Sequence, residues 1–216
     1  MRALALAVAL ALLAPAAVGA QDTRRPSREQ ALRDLGSAEV EARRLSAAWM
    51  GELGTPADLP ALFKTLGDTD ELVRALSESS IWQVWSRSGD ARVDGLFAAG
   101  VEQMNRGQAQ AALGTFTEII RLKPDFAEGW NKRATIYFLV GEYDKSLRDC
   151  HEVIRRNPQH WGALAGYGQI YLHLDKPEEA LAYFQRALAV NPNLQQVEQM
   201  IEQLEQALIE KRKGTI

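Results

Sequence analysis

The sequence predicts an all-α chain, a solenoid of stacked helix pairs closed by one further helix, on three observations. Pro124, Pro158 and Pro192 fall at an interval of 34 residues, and each closes a stretch with the same apolar skeleton. A fixed period of that size marks a stacked-helix repeat. Beyond Pro192, Leu194, Val197, Ile201, Leu204 and Leu208 recur at three- and four-residue steps, which fits one amphipathic helix. Within residues 37–90 a weaker repeat at an offset of 33 pairs Val40 with Val73, Ala42 with Ala75 and Trp49 with Trp82.

The elements follow in order. Met1 and Arg2 precede an apolar stretch from Ala3 to Ala14, then Pro15 and the small residues Val18, Gly19 and Ala20. Residues 1–20 therefore read as a secretory signal peptide cut after Ala20. The apolar run is shorter than the about 20 residues a membrane helix needs, and no later stretch is longer, so no membrane span is expected. No cysteine stands at the cut to carry a lipid. The expected destination is an exported compartment, most simply a bacterial periplasm.

Residues 1–20 contain one charged side chain, Arg2, and removing them leaves 24 basic and 28 acidic residues, a formal net charge of −4. An acidic balance is a poor match for a polyanion, and nucleic acid is not an expected partner. Cys150 is the only cysteine and cannot form an internal disulfide. Its apolar register predicts a buried, inert thiol.

Residues 21–36 are polar and arginine-rich, with Ser27 and Gln30 in capping-box spacing, and read as a linker carrying a short docking helix. In residues 37–90, Thr55-Pro56 stands in the favoured order for a helix start. Leu59, Leu62, Phe63 and Leu66 then give that helix an apolar stripe. The run from Leu66 through Gly67, Asp68, Thr69, Asp70, Glu71, Leu72 and Val73 to Arg74 resembles the loop and helix start of HEAT-type repeats.

The 34-residue skeletons are, in the third stretch, Leu164-x2-Tyr167-Gly168-x2-Tyr171 with Ala180-x3-Phe184. The second has Trp130-x2-Arg133-Ala134-x2-Tyr137 with Ser146-x3-Cys150, and the first Leu96-x2-Ala99-Gly100-x2-Gln103 with Ala112-x3-Phe116. They resemble the tetratricopeptide pattern W-x2-L-G-x2-Y…A-x3-F…P, with Arg133 for Leu, Cys150 for Phe and Gln103 for Tyr as departures. The likeness covers residues 91–192, divided at about 93–126, 127–160 and 161–192, and implies a right-handed superhelix of three helix pairs. Two helices of about fourteen residues cannot bury their stripes alone, so each pair needs its neighbour. Small residues, Gly100, Ala134 and Gly168 among them, are expected where helices cross closely. Gly107, Gly141 and Asp175 stand where the first helix of each pair should end in a left-handed residue. Residues 193–216 are expected to supply a capping helix and tail, with Lys211, Arg212 and Lys213 complementing the helix dipole.

No catalytic constellation is present: no G-x-S-x-G, H-E-x-x-H, G-x-x-x-x-G-K or paired CxxC. His151, His160 and His173 lack ligand spacing, and Asp68-x-Asp70 lacks the remaining ligands of a calcium loop, so helix capping is the expected role of that pair. Neither a metal nor a cofactor is predicted. Some tetratricopeptide domains clamp a C-terminal carboxylate with basic and amide side chains. By register the clamp falls here on Phe97, Val101, Lys132, Gly162 and Gly166, of which only Lys132 is basic, so that use is not expected.

The family's first helices line a concave surface, which the resemblance places at Phe97, Val101, Met104, Asn131, Thr135, Phe138, Gln169, Leu172 and His173. An apolar groove with a few polar anchors suits a helix or extended peptide. The reading is a non-catalytic envelope adaptor that binds a protein or peptide partner there. The alternatives are a self-associating structural protein, a non-catalytic subunit or regulator of an envelope enzyme complex, and a groove filled by the chain's own N-terminal segment.

Overall fold

A computed structural model describes residues 25–213, so the expected signal peptide at 1–20 lies outside the described residues. Among these are eleven α-helices and no strand. The first, α1 (Arg28–Asp34), is opened by Ser27, whose hydroxyl accepts from the Gln30 amide at 3.1 Å, satisfying one amide of the first turn. Thr55 and Pro56 open a single 3-10 turn, Pro56–Asp58, before α3 (Leu59–Thr65) continues. Asp70 caps α4 (Glu71–Trp85), accepting from the Val73 amide at 3.0 Å. Asp68 and Asp70 also each take both arms of an arginine on α2 (Val40–Leu53), Arg43 and Arg44 respectively. These four helices form two short hairpins whose shared core includes Ala31, Met50, Leu62, Val73 and Ile81.

Three longer helix pairs follow: α5 (Ala91–Asn105) with α6 (Ala109–Leu122), α7 (Ala127–Leu139) with α8 (Tyr143–Arg156), and α9 (Trp161–His173) with α10 (Pro177–Val190). Between the members of each pair the chain turns through a left-handed residue, at Gly107 (φ 69°), Gly141 (φ 77°) and Asp175 (φ 54°), the places the repeat spacing predicts. The helix crossings are as close as the small residues require. A Cβ on Gly100 would lie 2.7 Å from the Phe116 ring, and one on Gly168 would lie 2.5 Å from the Phe184 ring.

The middle pair departs from this packing where its sequence departs from the pattern. Arg133, standing where the pattern has leucine, gives both arms to Asp149 at 2.7 and 2.8 Å and lies against Trp130. A half-buried bidentate pair thus takes the place of an aliphatic contact. Cys150 stands where the other pairs carry phenylalanine and is buried, and burial pushes its thiol up to about 12. A thiol so shifted is a poor nucleophile at neutral pH.

The last helix, α11 (Gln195–Lys213), lays Ile201 and Leu204 against Ala180 and Phe184. The N-terminal hairpins do not extend the row of repeats. They fold onto its C-terminal half, where Trp161, Leu164 and Ala187 join their core. Arg74 Nε donates to Asn193 Oδ1 at 2.9 Å, and Asn193 Nδ2 donates to the Leu66 carbonyl at 2.9 Å. No described helix is long and apolar enough to cross a membrane.

Candidate groove and the junction that bounds it

The first helices α5, α7 and α9 present the predicted groove, and the structure divides its nine residues. Asn131, Thr135, Phe138 and Gln169 line one cleft of about 130 Å³, facing Gly162 and Gly166 across it, with Ala134 and Cys150 also in its wall. The cleft exists because the middle pair is underfilled: a thiol occupies the place of the Phe116 and Phe184 rings of the flanking pairs. His173 borders the same region, its ring 5.1 Å from that of Phe138 and stacked on Tyr143 at 5.2 Å. The Tyr143 hydroxyl lies 3.2 Å from His173 Nδ1. Beside this cluster Leu139 is 70% and Val140 49% exposed, an apolar rim at the turn between α7 and α8.

Phe97 does not line open space. It is 9% exposed and meets the rings of Phe116 and Phe126 edge-on, 5.9 and 5.5 Å away. The expectation that it lines the concave groove is corrected: Phe126, the N-cap residue of α7, covers it. Val101 and Met104 are half-buried against the same cluster, and Leu172 is half-buried against the core of α10 and α11. The structure thus gathers Asn131, Thr135, Phe138, Gln169 and His173 into one region and leaves the other four in packing roles.

The near end of the groove is occupied by the chain itself. Trp82 of α4 reaches Gly162, where a Cβ would lie 2.7 Å from the indole, and Lys132 Nζ sits 5.7 Å from the Trp82 ring. Only a residue without a side chain leaves that space. Trp85 stacks on His160 at 4.6 Å and packs against Trp161 at 4.4 Å. His160 is fully buried, with Nε2 2.5 Å from Glu128 Oε1, and its Nδ1 accepts from the Ala163 amide at 3.0 Å, capping α9. Because Nδ1 accepts, the hydrogen-bond network assigns the neutral imidazole with its proton on Nε2, donated to Glu128. Burial works to raise the Glu128 carboxyl pKa, but His160, Lys132 and Asn131 outweigh it and hold the group below its ordinary range. His160 thus has a structural role, as its lack of ligand spacing predicts, but its partner Glu128 lies 32 residues away and no motif joins the two. The tryptophans Trp82, Trp85 and Trp161 were the available signal for a shared aromatic core.

Residues 140–194 match the family model described as tetratricopeptide repeat. A TPR repeat-containing protein of Rhizobium etli is 33% identical over 124 residues, covering 57% of this chain and 61% of the relative, so the chain spans less than two thirds of that protein's length. Among solved structures, the first TPR domain of Spaghetti bound to an HSP90 peptide is 23% identical with a TM-score of 0.53, covering 56% of this chain and 96% of that domain. The MamA protein is 14% identical with a TM-score of 0.52, covering 74% of this chain and 87% of its own. With the 34-residue period and the paired helices, these likenesses give α5–α10 a fold similar to that of tetratricopeptide arrays, the family model itself covering α8–α10.

Proposed function

We propose that the protein is a non-catalytic adaptor of the bacterial cell envelope that holds a short peptide or helix of a partner protein in the far half of its groove. The observation that carries this is the cleft walled by Asn131, Thr135, Phe138 and Gln169 beside the exposed Leu139 and Val140. An apolar floor with a few amide and hydroxyl anchors suits peptide capture. The Spaghetti domain carries a bound peptide on the same fold. Because Trp82 fills the near end at Gly162, the partner segment is short and does not run the length of the array.

The test uses a photo-crosslinking residue at Thr135 in the full chain, in envelope extract. A discrete adduct is expected with the wild-type background and not with Phe138→Ala, which should weaken binding by roughly 2 kcal/mol as an aromatic anchor while leaving the melting temperature nearly unchanged. Phe97→Ala, by contrast, should melt the protein early, with a core cost of about 3 to 5 kcal/mol. An adduct untouched by Phe138→Ala, or one formed between two copies of the chain, would place the partner surface elsewhere or favour self-association.

The envelope assignment rests on residues 1–20. The exported protein should have an intact mass beginning at Gln21. A mature chain that still carries Met1 would remove the basis for that localisation.

A further inference from the structure

The cleft between α7 and α9 has a size and a charge that narrow what the groove can hold. Its volume is about 130 Å³. An apolar cavity of about 150 Å³ takes one benzene, so this cleft has room for a single ring and not for two side chains. The walls a ligand can reach are the exposed Thr135 and half-buried Phe138 of α7, and the half-buried Gly166 and Gln169 of α9. Ala134 and Cys150 lie beneath them as a buried floor.

Three observations fix the chemistry of the occupant. No residue that lines the cleft carries a charge, so a carboxylate or ammonium group entering it would give up its hydration without a partner. The second is the place of the cleft in the repeat. The flanking pairs carry the fully buried rings of Phe116 and Phe184 where the middle pair has the Cys150 thiol. Gly166 keeps the space above that thiol open, since the one atom a Cβ there would meet within 4 Å is Cys150 Sγ, at 3.7 Å. The third is the wall itself. Phe138 stands 5.8 Å from the ring of Tyr143 and 5.1 Å from that of His173, and an aromatic wall favours a further ring over an aliphatic chain.

We propose that the groove selects a neutral peptide segment with one phenylalanine, whose ring seats between α7 and α9 above Cys150. This rests on the peptide-capture reading and gives it a chemical class. A charged segment is rejected because the walls hold nothing to pair with it.

The experiment is a titration of the full ¹⁵N-labelled chain with N-acetylphenylalanine amide and, separately, with N-acetylleucine amide and N-acetylglutamate amide. The backbone amide resonances of Gly166 and Gln169 are followed. The expected result is a saturable shift with the phenylalanine compound, at a lower midpoint than with the leucine compound, and no saturation with the glutamate compound. Cys150→Phe, which raises the floor with the ring the flanking pairs carry, should raise the phenylalanine midpoint tenfold or more. Gly166→Ala adds one methyl in ordinary contact with Cys150; it should move the midpoint the same way, and decides the matter if Cys150→Phe does not fold. The absence of a saturable shift, tighter binding of the leucine or glutamate compound, or a midpoint unchanged in the folded variants overturns the proposal. A cross-linked adduct at Thr135 without any shift here would keep the adaptor reading and remove the phenylalanine anchor.

Discussion

Replacing His160 with leucine is expected to destabilise the protein by about 3 to 5 kcal/mol, the usual cost of removing one partner of a buried pair. The loss has two sources. Glu128, itself fully buried, loses the donor 2.5 Å away and keeps only Asn131 at 3.1 Å and Lys132 at 3.8 Å. Helix α9 also loses its cap, for about 1 kcal/mol. The cost should fall in the double variant Glu128→Gln/His160→Leu, because no charge is then stranded. Thermal or urea melts of the two singles and the double give the coupling directly. If His160→Leu alone melts within 1 kcal/mol of wild type, a threshold well under the range above, the pair does not hold the junction. The pair also sets an acid limit. Since the Glu128 carboxyl is held below its ordinary value in the folded chain, its contribution is complete above the unfolded pKa of about 4.3. It is lost as pH falls through the folded value. Glu128→Gln should therefore flatten the acid side of the stability profile.

The second large effect is expected at the crossing of α9 and α10. Phe184 is fully buried, and Phe184→Ala should cost about 3 to 5 kcal/mol for transfer and cavity together. Gly168→Ala attacks the same contact from the other side by placing a methyl 2.5 Å from the Phe184 ring. A ring locked among Ala180, Ile201 and Leu204 has little room to give, so overpacking by about 1 to 3 kcal/mol follows. The two changes should not add. With Phe184 reduced to alanine, the methyl on residue 168 enters vacated space, and the double variant should be no worse than Phe184→Ala. Strict additivity in urea melts would mean that glycine is needed there for some other reason.

Much of this architecture is legible in the chain before any coordinates. The period of the prolines places the helix pairs, and Gly107, Gly141 and Asp175 mark their turns, because both are local demands of helix ends. Ser27 and Asp70 likewise cap the helices their spacing implies. Phe97 is misread because register alone gives the direction of a side chain but not what the turn before α7 lays over it. The fill of the groove's near end is harder still. Gly162 signals open space, and nothing adjacent in sequence says that Trp82, eighty residues earlier, will enter it. Arg133 and Cys150 look like defects in a pattern when read singly. In three dimensions Arg133 finds Asp149, and Cys150 leaves the cleft unfilled.

A row of helical repeats is in principle a linear polymer, in which each unit feels only its neighbours and the ends fray independently. The contact of Arg74 and Leu66 with Asn193 breaks that independence, because it ties residues 119 and 127 positions apart. The chain is a closed ring of contacts. Unravelling past α11 into α10 must detach α4, and α4 cannot leave without exposing its tryptophans. Amide exchange should accordingly show the N-terminal hairpins and the last repeat opening together, with the first repeat, α5 and α6, which packs in a core of its own, the first to exchange.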